Sequence, residues 1–196
     1  MRRVKNFILV MLITGIWTGC SSQKPLESQS PVSVKEEISP KIVDTKQNVL
    51  MGIKEEVKNG RMKGIEIPLN STFQTVVKVY GEPKGISNNE CWTYSYDHSK
   101  INAMFYYDHD SCSNERNLLK PESILNQISV TPDFFHISIT EEDVKNALGK
   151  PNKEYLNEAY GGYYLIYEIS NSKLIFITEE ESSAKKIGKI NVEMKT

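Results

Sequence analysis

The chain is short of surplus positive charge, of histidine and of long apolar runs, and each shortage excludes something. Its 196 residues carry 24 Lys and Arg against 25 Asp and Glu, a formal net charge of -1. Without a cationic surplus to displace counterions from phosphates, nucleic acid is not an expected partner. There are three histidines, His98, His109 and His136. No serine or cysteine motif beside them suggests a nucleophile with a base and an oxyanion hole, so the chain is read as not an enzyme, with no cofactor. The apolar run from Phe7 to Gly19 is shorter than the ~20 residues a permanent membrane-spanning helix needs.

What stands at the N-terminus explains that short run. Arg2, Arg3 and Lys5 precede it and small residues close it, the pattern of an export signal over residues 1–19. The segment Ile16-Trp17-Thr18-Gly19-Cys20-Ser21-Ser22 resembles a bacterial lipobox, with Trp17 where an aliphatic residue is usual. The resemblance implies a lipoprotein, with diacylglycerol on Cys20 and palmitate-type acyl chains holding it at the outer face of the cell membrane. Each buried methylene adds about 0.8 kcal/mol to that attachment. Loss of residues 1–19 removes three positive charges and no negative one, taking the net charge from -1 to about -4. Residues 20–46 are rich in Ser, Gln and Glu, with prolines at 25, 31 and 40, and read as a flexible tether.

With Cys20 assigned to lipid, Cys91 and Cys112 remain. Export makes a disulfide between them one reading, and two free thiols the other.

Residues 47–196 are long enough for one folded domain with a real core. A helix is expected over about Asn48 to Lys58, with Leu50, Ile53 and Val57 on one face and a stop at Asn59-Gly60. Two later segments look alike. Ser71-Thr-Phe-Gln-Thr-Val-Val-Lys-Val-Tyr-Gly-Glu-Pro83 and Thr140-Glu-Glu-Asp-Val-Lys-Asn-Ala-Leu-Gly-Lys-Pro151 each open on a capping hydroxyl and end at Gly-x-Pro. Strand-like segments follow both, with hairpins expected at 91–97/101–107 and 163–169/173–178 and a closing strand at Leu125–Val130 and Ile187–Val192. The expected fold class is α+β, a tandem repeat of a short helix, or helix pair, followed by a three-stranded antiparallel sheet, with repeats at about 47–132 and 133–196.

The Gly-rich bend after the first helix, the two Gly-x-Pro helix ends and the closing Ile-x-Val strand resemble the YjgB-like lipoproteins of Bacillus relatives. More distantly, the repeated unit is similar to beta-lactamase inhibitor protein and to the SmpA/OmlA lipoprotein. These resemblances imply a non-enzymatic binding scaffold.

Candidate binding residues are aromatic. In Cys91-Trp-Thr-Tyr-Ser-Tyr96, alternation puts Trp92, Tyr94 and Tyr96 on one face and Thr93 and Ser95 on the other, and the aromatic face is expected to be the core face. The second hairpin is apolar on both faces, with Tyr163, Leu165 and Tyr167 opposed to Tyr164 and Ile166. Helices can cover only one of them, so the other is expected to meet packing or a protein or peptide partner. Tyr155, Tyr160, Tyr163 and Tyr164, around Gly161-Gly162, form a second candidate group. The function expected is therefore an extracytoplasmic, membrane-anchored protein- or peptide-binding module. An envelope hydrolase, which would need a concave pocket near His98, His109 or His136 and for which no catalytic residue is nominated, or a metal site at Asp97-His98 and Asp108-His109-Asp110, is the alternative. Turn geometry speaks against the metal site, because the two acidic clusters fall at opposite ends of one hairpin.

Overall fold

The computed structural model describes residues 40–89, 92–107, 119–159, 161–179 and 185–195, with side chains from Thr45 onward and without those of Asn88, Asn89 and Trp92. All of these fall within one compact unit, Ile38–Thr196.

Helix α1 runs Pro40–Val57, starting before the Asn48 expected from the sequence. Leu50, Ile53 and Val57, three and four residues apart, are fully buried along one stripe. Helix α2, Phe73–Tyr80, begins where the Thr72 side chain accepts a hydrogen bond from the Thr75 amide, and it buries Val76 and Tyr80. Helix α3, Glu141–Leu148, carries a full capping box. Thr140 Oγ1 accepts from the Asp143 amide at 3.2 Å, and the Asp143 carboxylate accepts from the Thr140 amide at 2.9 Å. Both α2 and α3 stop at a glycine with positive φ, Gly81 and Gly149, followed two residues on by a proline.

Eight strands follow: β1 Pro83–Asn89, β2 Trp92–His98, β3 Met104–Tyr107, β4 Leu125–Val130, β5 Lys153–Leu156, β6 Tyr163–Ile169, β7 Ser172–Thr178 and β8 Ile187–Met194. They form a single antiparallel sheet in the order β1-β2-β3-β4-β8-β7-β6-β5. This overturns the expected tandem repeat of helix plus three-stranded sheet, and with it the distant likeness drawn from that unit. β4 and β8 pair in the middle, with Ile128 opposite Val192 and Val130 opposite Ile190, so no boundary separates two sheets. Two strands were not foreseen. β1 reads Pro-Lys-Gly-Ile-Ser-Asn-Asn, rich in poor strand formers, and all four β5 side chains are exposed. Both are edge strands, held by backbone pairing rather than by an apolar pattern.

The core lies on one face of the sheet. Residues of all three helices cluster with Phe105, Tyr107, Leu125, Ile128, Val130, Leu165, Tyr167, Leu174, Phe176, Ile190 and Val192. The cluster also takes Phe134 and Phe135 from the 3-10 turn Pro132–Phe135 at its edge. Ile166 and Ile175, opposite each other across β6 and β7, are also buried but stand outside that cluster, on the other face. The sheet therefore has a helix-covered face and a second face without helices among the described residues.

Candidate functional site

Cross-strand register assigns the second face. From β2, Tyr94 and Tyr96 stand there, while Thr93 and Ser95 turn toward the helices and are buried. The aromatic face of β2 is thus not the core face, contrary to the sequence expectation. Alternation sets which residues share a face, not which face the helices take. Phe105 and Tyr107 of β3, together with Tyr80 of α2, already fill the core side, and little room remains for bulk on β2. Small polar side chains fit instead.

Ser95 is used there. His98 Nδ1 donates to the Gly81 carbonyl at 2.7 Å, and Nε2 lies 2.9 Å from Ser95 Oγ, which can donate to it. Tyr107 OH lies 3.4 Å from the same Oγ, and the His98 ring meets Phe105 edge-on at 5.3 Å. A serine, a histidine and an orienting carbonyl in line resemble part of a hydrolase triad, but Ser95 is 0% exposed, so no substrate reaches its hydroxyl. The group ties the turn after β2 to the end of α2. His136 ends the 3-10 turn in a left-handed conformation. Asp108, His109 and Asp110 lie outside the described residues, as do Cys91, Cys112 and Tyr160. Among the described residues no group of three or more His, Cys, Asp and Glu side chains is arranged to hold a metal, and no helix is long and apolar enough to cross a membrane.

Tyrosines line the second face on both sides. Tyr94 packs against Tyr106 of β3 at 5.0 Å between ring centroids and against Tyr96 at 6.0 Å. Tyr96 lies over Gly85 of β1, its cross-strand partner, where any Cβ would collide with the ring. Across the sheet, Tyr155 of β5 stacks on Tyr164 of β6 at 5.5 Å and 14°, and Tyr155 is 44% exposed. Tyr163 points the other way. It packs against the helix-side core beneath Lys185, 5.2 Å from its ring, and does not join Tyr164. Of the residues proposed from sequence, the structure therefore brings Tyr94, Tyr96, Tyr155 and Tyr164 to one face and removes Tyr163 from it. Trp92 opens β2, but its side chain is outside those described.

Between the two tyrosine groups lies a depression of about 520 Å³ lined by Tyr106, Gln127, Tyr164, Ile177, Lys189, Asn191 and Glu193, with Asn157, Gly161 and Gly162 at its edge. Gly162 allows a close approach there. Its φ is +81°, and a Cβ there would meet the Thr178 carbonyl at 2.6 Å. The polar side chains come from β4 and β8, whose pairing sets Gln127 beside Glu193 and Ser129 beside Asn191. Burial pushes the Glu193 carboxyl above its ordinary value, against the pull of Lys173 opposite it on β7 and a hydrogen bond from the Asn191 side chain. Burial likewise pushes the Tyr106 phenol up to about 12, with Tyr94 and Glu193 adding to it. Sequence reasoning missed this centre. Tyr106, Asn191 and Glu193 fall in strands whose opposite positions carry the strong apolar signal, and only the register of β3, β4 and β8 brings them together.

No protein-family model matches the chain, and no curated protein is significantly similar to it. Among solved structures, the DUF4309 family protein YjgB from Bacillus subtilis matches over 78% of this chain and 99% of its own, with a TM-score of 0.54 at 12% identity. The fold is YjgB-like. A cysteine-rich secretory protein from Staphylococcus aureus aligns at a TM-score of 0.39 and 9% identity, over 65% of this chain and 43% of its own. At these identities the YjgB likeness concerns the fold alone.

Proposed function

We propose that the chain is an extracytoplasmic, lipid-anchored and non-enzymatic binding module, and that the tyrosine-lined second face of its sheet takes a protein or peptide segment. The observation that carries this reading is the placement of Tyr94, Tyr96, Tyr106, Tyr155 and Tyr164 on the face that no described helix covers. Tyrosine gives large, stiff contact area with a polar tip, which suits a protein-facing surface better than a core. The Arg-Arg-x-Lys start, the short apolar run and Cys20 support export and lipid attachment.

A random-peptide library selected against the full chain tests it. The expected binders lose at least about tenfold in affinity for a Tyr94→Ala, Tyr164→Ala double variant that keeps its melting temperature, as truncation of two hot-spot aromatics implies. Binders that hold the double variant as tightly as the wild type would place the binding surface elsewhere.

A further inference from the structure

We propose that the depression at the centre of this face receives a basic side chain, the guanidinium of arginine or the ammonium of lysine, from the bound peptide. The proposal rests on the peptide-binding reading above and adds the chemistry of one subsite.

Two acceptors at that place lack a donor of sufficient strength. Asn191 is 5% exposed, lines the depression, and its Oδ1 has no hydrogen-bond partner among the described residues. A buried acceptor left unpaired is costly, and a ligand donor would relieve it. Two positions along β8, on the same face, stands the Glu193 carboxylate. Lys173 is opposite it across the strand pair, yet the two make no ion pair within bonding distance among the described residues. Burial raises the cost of the Glu193 charge, and a cation delivered by a ligand offsets that cost more fully than a distant lysine does. Tyr106, paired with Tyr94, supplies ring surface beside Glu193, which suits a cation with a flat or alkyl stem.

The other end of the site differs. Lys189 lies four residues from Glu193 along β8, about 13 Å at roughly 3.3 Å per residue, and lines the same depression. It suits a carbonyl or carboxylate of the same ligand, so an extended peptide would lie along β8 with its basic side chain toward Glu193. Gln127, with both donors and acceptors, sits between β3 and β8 and can bond a peptide group.

The test uses capped tripeptide amides, acetyl-Gly-X-Gly-amide with X as Arg, Lys, Gln or Glu, titrated into the isotope-labelled full chain in detergent. Side-chain amide resonances of Asn191 and Gln127 provide the readout. The expected result is that the Arg and Lys peptides shift the Asn191 amide and bind at least about tenfold tighter than the Gln and Glu peptides. Glu193→Gln should reduce that preference to within a few-fold, and Glu193→Lys should turn it toward the Glu peptide, so a variant that folds poorly does not decide the matter alone. Four peptides that bind alike, shifting the same resonances, would overturn the basic subsite while leaving the peptide-binding reading in place. Shifts by an N-acetylglucosamine oligosaccharide with none by any peptide would overturn both, and no shift by any peptide would overturn the subsite.

Discussion

Ser95 shows how a polar residue becomes part of a core. Its hydroxyl donates to His98 Nε2, and both groups are buried. Ser95→Ala is expected to leave that nitrogen unpaired and to cost about 1–3 kcal/mol, measured by chemical denaturation. Thr, by contrast, keeps the hydroxyl, so Ser95→Thr should recover part of the loss. Charge acts at the same scale around α3. Burial alone would raise the carboxyls of Glu141 and Asp143, but hydrogen bonds from Lys145 and Lys185 to the first, and from Thr140 and Lys46 to the second, hold both below the ordinary range. A carboxyl depressed in the folded state gives stability that is present above its unfolded value and lost as pH falls through its folded value. Wild type should therefore be more stable than Asp143→Asn at pH ~6, with the margin closing as the pH drops below about 4. A margin that stayed constant down to pH ~2 would mean that Asp143 contributes shape and not charge. The capping hydroxyl at Thr140 was readable from sequence because a short side chain before an apolar period has few other uses, whereas α2 takes its cap from Thr72 and not from the Ser71 on which its segment opens. The Ser95 network was not readable, because its partners come from α2 and β3.

Elements with a strong period were legible and edge elements were not. The hairpins at β2/β3 and β6/β7 and the closing strands β4 and β8 stand within a few residues of where alternation placed them, and α2 and α3 occupy their Gly-x-Pro segments. β1 and β5 escaped notice because an edge strand satisfies its backbone on one side only and needs no apolar face. Without them each half counts three strands instead of four, and it is the pairing of β4 with β8 that joins the halves into one eight-stranded sheet. The same reasoning fixes what substitutions in each kind of strand should cost. Phe105, fully buried on β3 against Tyr80 at 5.8 Å and His98, should destabilise by about 3–5 kcal/mol as Phe105→Ala. Leu156, more than half exposed on β5, should tolerate Leu156→Lys within about 0.5 kcal/mol. Equal losses at the two positions, read from urea midpoints, would contradict the assignment of core and edge.

At the scale of the molecule, the sequence showed that one hairpin was apolar on both faces, and the structure has a second sheet face that no described helix covers. The sequence could not give that face its sign at β2, because either side of an alternating strand can meet the helices. Nor could it show Tyr106, Asn191 and Glu193 as neighbours, since they are joined only by the β3-β4-β8 register. The central claim is that the tyrosine face, and not the helical side, meets the partner. Site-specific photo-crosslinking in the living cell tests it most directly, with a benzophenone-bearing residue placed at Tyr94, at Tyr164, or at Met51 on the exposed side of α1. Covalent adducts of one mobility from positions 94 and 164, absent from position 51, are the predicted result. Adducts from position 51 alone, or none from 94 and 164, would contradict the account.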